Sequence, residues 1–193
     1  IRAKGLDPYP ARYDRTHTSD EATKLFEHAE VLAGNGVGDG SEYPRTETIR
    51  IAGRVMARRG MGKAAFIDLK DGYGSIQAFA RQNTMGDDEY EIVNLLDIGD
   101  IIGVEGSVIR TRRGEISVEA AKVTVLTKAI RPLPDKWHGL QDQEIRFRQR
   151  YLDLISNDKA MKNALLRSKV VQSLRSFMHG VGFIEVETPI LVP

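Results

Sequence analysis

Between residues 46 and 128, apolar and polar positions alternate. Ile49, Ile51, Gly53 and Val55 interleave with Arg50, Ala52, Arg54 and Met56. A period of two predicts a strand with one buried face. Ala64–Lys70 and Ser75–Arg81 repeat the pattern around Asp71-Gly72-Tyr73-Gly74, a hairpin turn signal. Residues 89–96 read as a short helix. Residues 101–112 and 116–127 read as two further strands joined at Arg113-Gly114. Five strands with a helix between the third and fourth is the order of an OB-fold barrel. A five-stranded SH3-like barrel or a small sandwich is the alternative.

The pattern changes on either side. Residues 1–18 are rich in Pro, Asp and Arg and read as extended chain. Thr18, Ser19 and Asp20 offer capping oxygens for a helix over 21–32. GNGVGDG, residues 34–40, reads as a flexible loop. It neither follows a strand nor opens a helix, so it is no dinucleotide fingerprint. IRPLPDKWHGLQDQ, residues 130–143, is a proline-containing linker and a domain boundary. Residues 144–155 read as a basic helix. Ser156, Asn157 or Asp158 then caps a longer one. Its Met161, Leu165, Val171, Leu174 and Met178 fall near helical spacing, and Gly180 and Gly182 end it. Residues 183–188 are expected as a strand stopped by Pro189. The expected organisation is an extension with a short helix (1–45), the barrel (46–128), a linker (129–143) and a second, helical region (144–193).

Composition narrows the function. Charged residues make up 28 % of the chain, yet the net charge is only +1. Contact with nucleic acid would be local rather than a broad electrostatic grip. No cysteine is present, which excludes disulfides and thiolate-bound metals. The sequence has no apolar run of membrane-spanning length and no signal peptide, so a cytoplasmic protein is expected. The chain opens on Ile1 and stops at Pro193 after a helix–strand pattern, so it is expected to be part of a longer protein.

Alternation puts Phe66, Asp68 and Lys70 on the face opposite Ala65, Ile67 and Leu69. On the next strand it puts Gln77, Phe79 and Arg81 outside. OB-folds bind single strands on this face. Phe66 can stack on a base, and the Gln77 amide can both donate to and accept from a base edge. Equally, Phe66 can pack under a loop and Gln77 be plain surface. Glu115, at the start of the fifth strand, can accept from a base N–H or be a solvated turn charge. Arg58, Arg59 and Lys63, placed in the loop between the first two strands, can meet phosphates or stay solvated. His17, His28, His138 and His179 have no metal-ligand spacing, and no phosphate loop or nucleophile elbow is visible. Arg146, Arg148 and Arg150 form a solvated or salt-bridged run, or one that meets a phosphate. The residues alone describe a binding module with an interface element.

Longer stretches resemble a family. GRVMARRGMGKAAFIDLKDGYGSIQ (53–77), LDIGDIIGVEG (96–106) and TRRGEISV (111–118) are similar to the anticodon-binding OB-fold of class II lysyl-tRNA synthetases of bacterial type. GLDPYPARYDRTHT (5–18) resembles that family's N-terminal stretch. RPLPDKWHGLQDQEIRFRQRYLDLI (131–155) resembles its linker, and GFIEVETPIL (182–191) its class II motif 1. Aspartyl and asparaginyl synthetases share the OB segment; the linker is the lysyl-type signal. Phe79 stands where a tyrosine is common. The resemblance implies roles for single residues. Phe66 would stack on the central anticodon uracil and Gln77 hydrogen-bond it. Glu115 would recognise the third uracil, and Arg59 contact the bases or their backbone. Gly182, Phe183 and Pro189 would belong to a homodimer interface. The family uses ATP and Mg²⁺ to activate lysine and then charges tRNA. The catalytic motifs 2 and 3 are not in these residues, so the chain itself is expected to bind tRNA without activating lysine. A non-catalytic tRNA-binding or single-strand-binding fragment is the alternative.

Overall fold

The computed structural model describes residues 1–2, 5–33, 44–134, 140 and 142–190. The glycine-rich run 34–40 and most of the linker segment 135–141 lie outside them. The chain divides into two compact units, Ile1–Pro132 and Leu133–Pro193.

In the first unit, helix α1 (Ser19–Leu32) starts where Thr18 and Glu21 cap each other. The Glu21 carboxylate accepts from the Thr18 backbone N–H at 2.8 Å, and the Thr18 hydroxyl accepts from Glu21 N–H at 3.2 Å. This box begins the helix two residues before the expected start. Phe26 of α1 is fully buried in the core.

The strands are β1 (Thr48–Met61), β2 (Ala64–Lys70), β3 (Ser75–Arg81), β4 (Ile101–Arg110) and β5 (Ile116–Thr127). They pair in the order β1-β2-β3-β5-β4, and β4 returns to β1. Only β3 and β5 run parallel. This is the expected OB-fold. Its interior holds the alternating apolar set of each strand, among them Ile51, Ile67, Ala78, Val104 and Val118, each at most 2 % exposed. Between β3 and β4 lie α2 (Gln82–Met85) and α3 (Asp87–Asn94), so the expected helix starts two residues earlier, after Gly86. β4 ends at Arg110, because Thr111 turns to accept Gly114 N–H at 2.8 Å.

β1 departs from the sequence reading. It runs to Met61, so Arg58 and Arg59 are strand residues and the connection to β2 is only Gly62-Lys63. Its register against β2 slips between Val55↔Leu69 and Ala57↔Asp68, which leaves Met56 as the extra residue of a bulge. A one-residue slip exchanges the two faces of a strand. Arg59 would point inward by continued alternation, but it stands opposite Phe66 on the outer face. Arg58 takes the other side. Its guanidinium donates to the carbonyls of Asn94 and Leu96, both at 3.3 Å, and so caps the end of α3. Its guanidinium is thus bonded within the fold, where the sequence reading had it solvated or meeting a phosphate.

Two buried carboxylates tie loops to the barrel. Asp71 accepts from Ser19 Oγ at 2.7 Å and from Ser19, Tyr73 and Gly74 N–H, each at 2.8 Å, joining α1 to the β2–β3 hairpin. Fully buried Asp100 accepts from Lys128 Nζ at 2.6 Å and Ala129 N–H at 2.7 Å, fixing the chain as it leaves β5.

The second unit contains α4 (Gln143–Arg148), α5 (Arg150–Ser156) and α6 (Asp158–Gly180). The single basic helix expected over 144–155 is thus two helices, broken at Gln149 (φ −112°, ψ 54°). The break lets Arg146 and Arg150 both reach Asp153, whose side chain is 1 % exposed. Arg148 pairs with Glu144 at 2.8 Å, so the basic run is ion-paired. Asn157 caps α6. Gly182 (φ +92°) ends it, donating to His179 O while Phe183 N–H donates to Met178 O, both at 3.0 Å. The strand expected over 183–188 does not form. A strand needs a neighbour for its N–H and C=O groups, and none pairs with it among the described residues.

Candidate nucleic-acid interface

Two rungs of outward side chains cross the sheet from β1 to β5. The first is Arg59, Phe66, Phe79 and Glu119, each in register with the next. The second is Asp68, Gln77 and Ser117. The first rung and Gln77 of the second, together with Arg45, Arg81 and the β4–β5 turn, line a groove of about 780 Å³. The groove brings together all four residues expected to bind: Arg59, Phe66, Gln77 and Glu115.

The first rung is aromatic at its centre. The Phe66 and Phe79 rings stack at 4.5 Å between centroids and 7° between planes. Such a pair is worth about 0.5–1.5 kcal/mol beyond its buried area. The Arg81 guanidinium carbon lies 5.2 Å from the Phe79 centroid. Phe66 is only half-buried, so part of its ring faces the groove. A base laid on it would extend an existing stack. Arg59 donates to Asp68 at 2.8 Å, which holds its guanidinium beside that ring.

At the far end, Glu119 is 1 % exposed and pairs with both Arg81 and Arg45, the latter at 2.5 Å. A buried carboxylate is tolerable when cations and hydrogen bonds replace its water. Here it anchors two arginines whose other edges remain partly exposed.

Gln77 departs from expectation. It lies on the outer face but is only 8 % exposed. Its amide is held at both ends: Ser117 Oγ donates to Oε1 at 3.1 Å, and Nε2 donates to Glu115 Oε2 at 3.0 Å. Glu115 itself is exposed and lies one residue before β5, in a turn closed by Thr111 N–H to Glu115 O at 2.8 Å. The turn needs a left-handed residue, supplied by Gly114 (φ +85°). Arg112 and Arg113 stand exposed on its tip.

Sequence reasoning missed Ser117 and Glu119 and gave Phe79 and Arg81 no role. The signal was available for the first two. Val118 and Ala120 are the inward positions of β5, so Ser117 and Glu119 share the face of Phe79 and Gln77. Gly182, Phe183 and Pro189 lie in the second unit, all exposed, and Phe183 is 60 % exposed.

Comparison with known proteins agrees with this geometry. Residues 49–126 match the family described as OB-fold nucleic acid binding domain, the tRNA anticodon-binding family. Residues 142–193 match tRNA synthetases class II (D, K and N). A lysine–tRNA ligase of Dehalococcoides mccartyi is 50 % identical over all 193 residues, which cover 37 % of that protein. Lysine–tRNA ligases of Pelotomaculum thermopropionicum and Bacillus cytotoxicus are 47 % and 42 % identical over 99 % of this chain, covering 35 % and 37 % of theirs. The chain thus spans little more than a third of the relatives it matches. Over its whole length the chain is similar to lysine–tRNA ligases, with an anticodon-binding OB-fold match at residues 49–126 and a class II (D, K and N) match at residues 142–193.

Proposed function

We propose that the groove on the first unit binds the anticodon of a lysine-specific tRNA and that the chain is the anticodon-reading part of a lysine–tRNA ligase. The observation that carries this reading is the meeting of Arg59, Phe66, Gln77 and Glu115 in one groove. Phe66 stacks on the central anticodon base, and Gln77 donates to its edge. Glu115 accepts from the N–H of the neighbouring base, and Arg59 meets the bases or the backbone between them. Arg59, Phe66 and Glu115 are left partly open by the groove, whereas Gln77 is buried behind them.

The ligase as a whole would join lysine to ATP, releasing pyrophosphate, and pass the lysyl group to the tRNA 3′-end. Among the described residues no three His, Asp or Glu side chains gather as a metal set. No residue of this chain is therefore assigned to ATP or Mg²⁺, and no catalytic step is derived from it. The second unit would contribute Gly182, Phe183 and Pro189 to a homodimer interface. No helix among the described residues is long and apolar enough to cross a membrane, and the cytoplasm, where tRNA is charged, is the proposed location.

Titration of a labelled anticodon stem-loop tests the reading. A loop with three uracils should bind several-fold more tightly than loops with aspartate or asparagine anticodons. Equal affinity for all three would leave only a generic single-strand binder.

A further inference from the structure

Arg110 ends β4, where the chain enters the turn that carries Glu115. Its guanidinium is committed in two directions. Nε and one terminal nitrogen donate side by side to the two carboxylate oxygens of Glu30, at 2.8 and 2.5 Å. The other terminal nitrogen donates to the Gly114 carbonyl at 2.7 Å. A guanidinium is planar, so gripping a carboxylate along one edge fixes the direction of its remaining donors. Glu30 therefore sets where Arg110 holds Gly114, the residue before Glu115.

Glu30 in turn is fixed by α1. Phe26, one turn earlier on the same helix face, is fully buried in the core, and the Arg110 guanidinium carbon lies 5.5 Å from its ring centroid. At its other end α1 is held by Asp71, which accepts from Ser19 N–H and Oγ. The helix is thus pinned at both ends, and its last turn reaches the β4–β5 turn through one arginine. The bonds from Thr111 N–H to Glu115 O and from Gly114 N–H to Thr111 O, both at 2.8 Å, close that turn on itself. The bond to the Gly114 carbonyl connects it to α1.

We infer that Glu30 is a positioning residue for RNA binding: through Arg110 it holds the β4–β5 turn, and with it Glu115, where the groove receives a strand. This deepens the anticodon reading of the groove and rests on it. Glu30 does not line the groove, whereas Arg110 does, so the influence of Glu30 passes through Arg110. The helix ahead of the barrel thereby belongs to the binding machinery as well as to the core.

Glu30→Gln in the full chain separates positioning from charge, because the two predict opposite signs. Removing a carboxylate makes the chain more positive, and a purely electrostatic effect would tighten its hold on an RNA polyanion. Positioning predicts that a labelled anticodon stem-loop with three uracils binds about threefold or more weakly at fixed salt. In a Glu115→Ala background the same substitution should cost about 1.5-fold or less, since the group it places is gone. A merely structural role would cost the same factor in both backgrounds. Should Glu30→Gln fail to fold, Arg110→Lys carries the test: it keeps the charge, loses the fork that reaches carboxylate and carbonyl together, and should show the same dependence on Glu115. Unchanged or tighter binding by Glu30→Gln, or a loss that persists undiminished without Glu115, would overturn the inference while leaving the groove standing. If the wild-type chain binds the stem-loop no better than a hairpin of unrelated loop sequence, the anticodon reading itself fails and the positioning role falls with it.

Discussion

Arg59 stands opposite Phe66 because Met56 is bulged out of the β1–β2 ladder. Two adjacent arginines thereby acquire opposite roles. Arg59 lies in the groove and is held by Asp68, while Arg58 caps α3. Arg59→Ala should weaken stem-loop binding and leave the thermal midpoint nearly unchanged. Arg58→Ala should do the reverse, costing about 1–3 kcal/mol of stability through the carbonyls it leaves unpaired. Melting curves and titrations on both variants check the pair. Matching effects from the two would mean the bulge does not separate them.

Phe66→Ala removes the surface on which a base is proposed to stack and should cost about 1–3 kcal/mol of binding. Phe79→Ala should cost less, because it supports Phe66 from the far side of a 4.5 Å stack. Calorimetric titration of an anticodon stem-loop measures both. A larger loss at Phe79 would mean that Phe79, not Phe66, meets the base.

Much of this was legible beforehand, and the failures share a cause. Strict alternation placed Ile67, Leu69, Ala78 and Ala80 inside and Phe66 outside, because hydrophobic burial imposes a period of two on any one-sided strand. It lost the end of β1: Arg58 and Arg59 read as loop residues in the sequence, because the bulge at Met56 breaks the period of two and leaves no composition signal. It half-failed at Gln77. The face was right, but the burial depends on Ser117 and Glu115, which are 40 and 38 residues away in sequence. The strand expected at 183–188 failed for a related reason: pairing is a property of two segments, and only one was being read.

Gly106 of β4 packs directly against the Glu119–Ala120 backbone of β5. A Cβ there would lie 1.9 Å from the Glu119 carbonyl oxygen. Gly106→Ala must push the strands apart and should destabilise the first unit by about 1–3 kcal/mol or more. Because Glu119 holds Arg81 and Arg45, RNA binding should weaken as well. A urea midpoint equal to wild type would show that the bulge at Glu105/Gly106 absorbs the methyl group.

Stability should fall in acid through Asp71. Burial alone would raise its pKa, but the hydrogen bonds from the Ser19 side chain and from the Ser19, Tyr73 and Gly74 backbone outweigh burial and hold the carboxyl below its ordinary value. The unfolded chain therefore takes up the proton first. The contribution of Asp71 is complete above the usual carboxylate range, near pH 4, and is lost as pH falls toward the folded value. Asp71→Asn should show a smaller loss of denaturation midpoint between pH 7 and pH 3 than wild type. Equal losses would place the acid sensitivity elsewhere.

The pairing of cations within the groove also governs how salt acts on it. Arg45 and Arg81 are joined to Glu119, and Arg59 to Asp68. Among the described residues, Arg112 and Arg113 are the groove arginines without a carboxylate partner. Few condensed ions would then be displaced from a bound strand. With about two phosphates neutralised, the logarithm of affinity should fall with the logarithm of salt concentration at a slope no steeper than about −1.5. Such a site would hold its RNA through crowded ionic conditions and discriminate by shape and base edge, because its grip owes little to charge.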